Sequence, residues 1–126
     1  MMKRMIPAVI FLSMLMVHAF TGDADAGEFD KYPQKGKITL IDLGAGSCIP
    51  CKMMVPVLDK VKKRYEGKAE VIVIDLRYNR DQIERFQVRA IPTQVFYDRD
   101  GREVYRHVGF MDENAIVEQF AKMGVK

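Results

Sequence analysis

The amino-acid sequence predicts an α/β fold, with a mixed four-stranded sheet that helices flank on both faces. Three observations lead to this prediction: two continuous apolar runs rich in β-branched residues, an amphipathic segment between them, and a closing pair of strands around a glycine turn. A strand–helix–strand crossover makes its two strands parallel, whereas a tight hairpin makes its strands antiparallel. The chain therefore predicts both kinds of pairing within one sheet.

The first half of the predicted domain is a strand, a helix and a second strand. The first strand covers Ile38–Leu43, and the loop Gly44-Ala45-Gly46-Ser47 separates it from a helix over about Ile49–Tyr65. Pro56 lies inside this helix, where it removes one backbone donor and is expected to kink it. Val71–Asp75 is the second continuous apolar run.

The second half is predicted to contain a short helix, a hairpin and a last helix. The hairpin is expected because a Gly-terminated turn separates two β-rich runs, and the last helix because an N-cap residue precedes an apolar stripe. The short helix is expected from Asn79 or Arg80 to Phe86. The hairpin strands are expected over Thr93–Tyr97 and Glu103–His107, around the turn Asp98-Arg99-Asp100-Gly101. The last helix is expected from the N-cap Asp112 to Met123, with Ile116, Val117 and Phe120 buried.

Residues 1–26 have the pattern of a secretory signal peptide, and residues 27–126 form one predicted domain. Met1–Arg4 is a basic start, Met5–Val17 is free of charge, and Ala24-Asp25-Ala26 is an A-x-A-like cleavage site. A cut after Ala19 and an uncleaved membrane anchor remain alternatives. We expect secretion into a bacterial periplasm, as a free or a membrane-anchored protein, where disulfide chemistry is possible.

The charge pattern excludes some classes of partner. The formal net charge is +3, and it is unchanged without residues 1–26 because that segment carries two basic and two acidic residues. Acidic and basic residues are interspersed along the rest of the chain without a basic block, so the sequence does not favour nucleic acid or an anionic membrane surface as a partner. We expect a monomer.

Both cysteines of the chain lie in Cys48-Ile49-Pro50-Cys51, which follows the first strand and opens the first helix. A thiol at a helix N-terminus faces unsatisfied backbone N–H groups and the positive end of the helix dipole, which stabilise thiolate over thiol. Thiolate is the nucleophile in disulfide exchange, and a second cysteine three residues on is placed to resolve a mixed disulfide. The motif therefore predicts dithiol redox chemistry.

Three other interpretations of the motif compete. A structural zinc site needs two further ligands, and the only histidines are His18 and His107. A structural disulfide would close a loop too short to remove much unfolded-state entropy. A Cu(I)-binding, metallochaperone-like module would use both cysteines with a neighbouring Met or His as soft ligands.

The sequence resembles the thioredoxin family over roughly residues 35–124. The resemblance lies in the combination of several motifs, which is far more specific than C-x-x-C alone. They are Ile41-Asp42-Leu43, Cys48-Ile49-Pro50-Cys51-Lys52-Met53, Pro56, Arg89-Ala90-Ile91-Pro92-Thr93, and Asp100-Gly101 followed by Gly109.

The resemblance implies a role for each matching catalytic residue. Cys48 resembles the family's exposed nucleophile and Cys51 its buried resolving thiol. Pro92 resembles the cis-proline beside the active site, and Asp42 the buried carboxylate that accepts the Cys51 proton. An acid inside an apolar strand is unusual unless it is paired or functional, and a solvent-facing strand residue is the alternative for Asp42. Substrate contacts are implied for Ile49, Pro50, Ile91 and Thr93, with the Ile91 backbone pairing with an extended client segment. No cofactor beyond the Cys48–Cys51 disulfide and no metal are implied.

The chain also departs from the family pattern. Ser47 stands where the family usually has Trp, Ile49-Pro50 replaces Gly-Pro, and Val73 takes the place of a lysine near the buried aspartate. The N-terminal βα unit of full-length thioredoxins is expected to be shortened or missing.

The resulting hypothesis is a protein disulfide reductase acting on exported proteins, of which apocytochrome c is one conceivable client. A membrane thiol transporter would donate its electrons. A periplasmic dithiol oxidant or isomerase is the alternative within the same chemistry.

Overall fold

The computed structural model describes residues 27–126, so the predicted signal peptide and anchor lie outside the described residues. Four strands and three helices follow the predicted order. They are β1 (Thr39–Gly44), α1 (Ile49–Arg64), β2 (Glu70–Asp75), α2 (Asp81–Arg85), β3 (Thr93–Tyr97), β4 (Glu103–Val108) and α3 (Glu113–Lys122). Every predicted element is present, and no bound differs from the expected one by more than two residues.

The sheet is mixed, as the sequence predicts. Its strand order is β2-β1-β3-β4, so β1 and β3 are the two interior strands. β1 pairs in parallel with β2 through the α1 crossover, and it pairs antiparallel with β3. β3 and β4 form the predicted hairpin, in which Gly101 has a φ of 76° and its N–H donates to the Asp98 carbonyl. Glycine suits that turn because other residues rarely adopt positive φ.

Alternation along the strands produces an apolar core on each face of the sheet. Leu40 and Phe96 face α1 and α3, where they pack with Met54 and Phe120. Ile41, Leu43 and Val95 face the other side, where Phe86 at the end of α2 packs against them. Asp42 and Gln94 therefore lie on the same sheet face as α1, since they alternate with the residues of the second core.

No helix or strand precedes Thr39 among the described residues; residues 27–38 form turns instead. Phe29 and Tyr32 from this segment pack on the core beside α2. The Arg85 guanidinium donates to the carbonyl oxygens of Phe29, Asp30 and Tyr32 and so ties the segment to α2. Within residues 27–126, no helix is both long and apolar enough to cross a membrane.

Candidate active site

The first turn of α1 holds the two cysteines in one disulfide. Cys48 is the N-cap residue with an extended backbone, and its Sγ accepts a hydrogen bond from the Cys51 N–H at 3.3 Å. The Cα atoms of the bonded cysteines are 5.1 Å apart. Cys48 is half-buried, whereas Cys51 is only 7 % exposed. Cys48 is thus the more exposed of the two cysteines.

The local sequence explains why the helix begins here. Pro50 lies in the first turn, where its missing N–H costs nothing and its fixed φ suits a helix. The first turn contains no acidic side chain, and Lys62, Lys63 and Arg64 lie in the last turn. The positive end of the helix dipole therefore acts on Cys48 without a neighbouring carboxylate in that turn to oppose it.

Asp42 is a buried carboxylic acid in the middle of β1, as the sequence suggests from its apolar neighbours. It is 3 % exposed, and its Oδ1 accepts a hydrogen bond from Gln94 Nε2 at 2.8 Å. Burial raises the pKa of Asp42 from 3.8 to about 6, and the Gln94 hydrogen bond opposes that rise. The structure thus contradicts the alternative in which Asp42 is a solvent-facing strand residue.

Asp42 and Cys51 line one cavity of about 280 Å³ between β1, β2 and the start of α1. Its wall is mainly apolar and includes Val55, Leu58 and Val73. Val73, which stands where the family has a lysine, is the parallel-strand partner of Asp42 and brings no cation to the cavity. Lys52, Asp59 and Asp75 also belong to the lining, and Asp75 forms an ion pair with Arg77.

Gly44 leaves open the space between the acid and the inner cysteine. A Cβ added to Gly44 would lie 3.2 Å from Cys51 Sγ and 3.8 Å from Asp42 Oδ2. One small volume therefore borders both atoms, with Oδ1 of the same carboxylate turned to Gln94. This arrangement leaves Oδ2 as the oxygen available on the Cys51 side.

The loop before β3 lies at the same end of the sheet as the cysteines. Thr93 pairs with Leu43, one residue before Gly44, so Ile91 and Pro92 are placed beside the end of β1 that leads to Cys48. The Ile91–Pro92 peptide bond is cis, and the Pro92 carbonyl accepts a hydrogen bond from the Gly109 N–H.

The residues expected to contact substrate differ in exposure. Ile49 is 73 % exposed, and Ile91 is partly exposed, while Pro50 is half-buried. Thr93 is buried, and its hydroxyl donates to the Ala90 carbonyl at 2.6 Å. Its side chain therefore orders the Pro92 loop from inside and is not part of the exposed surface.

The sulfur and imidazole groups near the motif have structural surroundings. Met54 is fully buried in the core, and its Sδ accepts a hydrogen bond from the Met111 N–H. Met53 is half exposed, and His107 Nε2 donates to the Phe110 carbonyl. Among residues 27–126 no group of three His, Cys, Asp or Glu side chains is arranged to hold a metal ion. Met54 would have to leave the core to bind copper.

Sequence reasoning missed Gln94 and Gly44. Gln94 is an uncharged polar residue inside the apolar run Thr93–Tyr97, and the same signal that drew attention to Asp42 could have drawn attention to it. Gly44 was taken for a loop residue, whereas it is the last residue of β1 and lies against Cys51.

The domain carries a disulfide on the first turn of the helix that follows an interior strand of a mixed sheet. This arrangement defines it as a thiol–disulfide oxidoreductase. The sequence model of the thioredoxin family, described as "Thioredoxin", matches residues 21–122. The chain is similar to the thioredoxin of Staphylococcus aureus, with 36 % identity over 100 residues that cover 79 % of this chain and 91 % of that protein.

Solved structures agree with this comparison. The germline-specific thioredoxin Deadhead of Drosophila melanogaster superimposes with a TM-score of 0.62 at 33 % identity, over 70 % of this chain and 82 % of that one. The thioredoxin NaTrxh of Nicotiana alata gives 0.62 at 31 % identity, over 71 % and 76 % of the two chains. The chain belongs to the thioredoxin family, and its Cys48–Cys51 pair makes it a thioredoxin-type thiol–disulfide oxidoreductase.

Proposed function

We propose that the chain reduces disulfides in exported proteins, with Cys48 as the attacking thiolate and Cys51 as the resolving thiol. The observation that carries this proposal is the unequal placement of the two sulfurs. Cys48 caps the helix and is partly exposed, whereas Cys51 is buried beside Asp42. A client reaches the first sulfur but not the second.

The cycle has two exchanges. Cys48 thiolate attacks one sulfur of the client disulfide and forms a mixed disulfide, and the other client sulfur leaves as a thiol or thiolate. Cys51 then gives its proton to Asp42 and attacks Cys48 Sγ, which releases the second client sulfur and leaves Cys48–Cys51 oxidised. Two electrons pass from the dithiol to the client in each cycle.

Client contacts are proposed for the exposed surface around Cys48. Ile49 is the most accessible apolar side chain of the motif, and Pro50 is half-buried. Ile91 precedes β3 at the same end of the sheet, so an extended client segment could pair with its backbone as an added strand. Thr93 would support such pairing from inside through its bond to Ala90.

The reducing direction is favoured by the residues around the motif. Ile91 before the proline and the run Cys48-Ile49-Pro50-Cys51-Lys52 are more similar to thioredoxin than to its oxidising relatives. Potentials range from about −270 mV for thioredoxin to about −120 mV for a periplasmic oxidant, a gap of roughly 7 kcal/mol. A high redox potential would instead indicate a dithiol oxidant or isomerase.

The proposed place of action is the periplasm, because residues 1–26 have the sequence pattern of a signal peptide. A reductant outside the cytoplasm needs electrons from inside, so a membrane thiol transporter is the proposed donor. Exported proteins with disulfides are the proposed clients, and apocytochrome c is an example of the class. Intact-mass analysis of exported protein should show a start near Gly27. Retention of Lys3 and Arg4 in a membrane fraction would show an anchor instead.

Trapping of clients tests the assignment of the two thiols. Cys51→Ser should accumulate mixed disulfides with exported proteins, because the attacking thiol remains and the resolving thiol is gone. Cys48→Ser is the matched control and should accumulate none, since it removes the exposed sulfur and leaves the buried one. Equal trapping by the two variants would contradict the assignment.

A further inference from the structure

Gln94 is the only residue that donates a hydrogen bond to the Asp42 side chain within the described part of the chain. It is fully buried on β3, and it stands opposite Asp42 in the antiparallel register of β1 and β3. Its Nε2 lies 2.8 Å from Asp42 Oδ1. The bond fixes one carboxylate oxygen and leaves Oδ2 on the side of Gly44 and Cys51.

The other end of the same amide is unusual. Gln94 Oε1 is buried and has no hydrogen-bond partner among the described residues. Buried polar atoms are nearly always paired, and an orphaned acceptor in a folded core calls for an explanation. The amide keeps this orientation because an ionised carboxylate can only accept a hydrogen bond, so the donor Nε2 has to face Asp42 and Oε1 is left without a partner.

We propose that Gln94 is a positioning residue for the resolving step, whose amide donor holds Asp42 Oδ1 and thereby directs Asp42 Oδ2 towards Cys51. This inference rests on the proposed role of Asp42 as the proton acceptor. An uncharged donor suits such a place because Asp42 Oδ1 remains an acceptor after Oδ2 has taken the proton, so the same hydrogen bond holds in both protonation states.

The step balances as follows. The Cys51 proton passes to Asp42 Oδ2, directly or through a water in the cavity, and Cys51 Sγ forms a bond to Cys48 Sγ. The bond between Cys48 and the client sulfur breaks, and that sulfur leaves with the electron pair. Gln94 neither gains nor loses a proton, and its hydrogen bond to Asp42 Oδ1 is kept throughout.

Other charged and titratable groups face the same space. Lys52 and Asp59 on α1 and Asp75 on β2 line the cavity with Cys51, and Asp75 is held by Arg77. On the far side of Gln94, His107 of β4 is its cross-strand partner and is bonded to the Phe110 carbonyl. None of these groups donates a hydrogen bond to Asp42 within residues 27–126. Removal of Gln94 should therefore change the titration of Asp42 more than removal of any of these groups.

The test measures the resolving step by itself. Reduced protein treated with 5,5′-dithiobis(2-nitrobenzoate) should release nitrothiobenzoate in two phases. The first comes from attack by Cys48, and the second, independent of reagent concentration, from attack by Cys51 on the mixed disulfide. The rate of the second phase against pH reports the group that accepts the Cys51 proton, and the titration of the Asp42 carboxyl is followed separately by carbon NMR.

Gln94→Met keeps the length of the side chain and removes the amide. It should move the Asp42 titration and the pH midpoint of the second phase upward together, while the first phase stays unchanged. A midpoint raised by about one unit corresponds to a tenfold slower second phase below the midpoint. Gln82→Met is the matched control, because Gln82 is also buried but lies on α2 and binds Asp81 and Asp30. The Gln82→Met variant should move neither the Asp42 titration nor the pH midpoint of the second phase.

Gln94→Glu is a second variant of nearly unchanged shape, in case Gln94→Met does not fold. A second carboxyl beside Asp42 should raise the midpoint further. If the second phase were slowed equally at every pH while the Asp42 titration stayed unchanged, the proposal would be overturned and Gln94 would be a packing residue. Failure of the Asp42 role itself has a different signature: the Asp42→Asn profile would then overlap with that of the wild type. In the Asp42→Asn background, Gln94→Met should shift nothing.

Discussion

The Asp42 carboxylate and the Cys51 sulfur line the same cavity from two different elements, β1 and the first turn of α1. Gly44 leaves the space between them free of side-chain atoms. An acid whose pKa is raised to about 6 is ionised at neutral pH and is still basic enough to accept a proton there. The position and the pKa of Asp42 therefore suit it to accept the Cys51 proton when that thiol attacks Cys48.

Replacement of Asp42 by asparagine should slow the resolving step most near neutral pH. There the wild-type acid is ionised and few Cys51 thiols ionise unaided, so the loss should be on the order of 100-fold, the low end for a positioned general base. The gap should close towards about pH 9, where thiolate forms without help, and below about pH 6, where Asp42 is itself protonated. The second nitrothiobenzoate phase measures this profile. Overlapping profiles throughout would show that Asp42 takes no part.

The same replacement should change stability in a pH-dependent way. Burial raises the pKa of Asp42 in the folded state, so the folded protein binds this proton more tightly than the unfolded chain. Stability is therefore lost as the pH rises from about 4 to about 6, by about 3 kcal/mol at most for a shift of roughly two units. Asp42→Asn has no such group to ionise.

Urea unfolding of the oxidised protein measures this effect. Asp42→Asn should be more stable than the wild type at about pH 8, and the gain should disappear below about pH 4. Asp59→Asn is a control, because Asp59 is an exposed acid on the same cavity rim. A gain of equal size at both pH values would contradict burial of an ionised Asp42.

A methyl group on Gly44 should hinder resolution without blocking the first attack. The added Cβ would lie 3.2 Å from Cys51 Cβ and Sγ, closer than ordinary contact, and between Cys51 and Asp42. Because a misplacement of about 1 Å can cost on the order of 100-fold, Gly44→Ala should slow the second phase by at least about tenfold. Gly46→Ala is the control, since its Cβ would meet the guanidinium end of the exposed Arg77 side chain, which is paired with Asp75, and neither Cys51 nor Asp42. Similar effects of both variants would indicate a general loop disturbance.

Much of the fold follows from local patterns. The two continuous apolar runs became strands of the sheet, fully buried in β1 and partly exposed in the edge strand β2. Pro50 after Cys48 marks the start of α1. The polar position of Asp42 in such a run was enough to single it out. These predictions succeed because each depends on residues that are neighbours in the sequence.

The remaining features depend on which residues meet across the sheet. Gln94 faces Asp42 only because β3 pairs antiparallel with β1 in one register, and packing on both faces sets that register. Gly44 matters because the α1 crossover brings Cys51 over the end of β1. Thr93 was expected at the substrate surface, but β3 is an interior strand, and all five of its residues are buried, Thr93 included. None of these relations is visible in a single segment of sequence.

The redox potential of the Cys48–Cys51 couple tests the central claim most directly. Equilibration of the protein with glutathione buffers, followed by alkylation and mass analysis, gives the fraction of dithiol at each ratio. A reductant of exported proteins predicts a potential near that of thioredoxin, about −270 mV. A potential near −120 mV would contradict the account, because the folded protein would then hold the dithiol too strongly to reduce its clients.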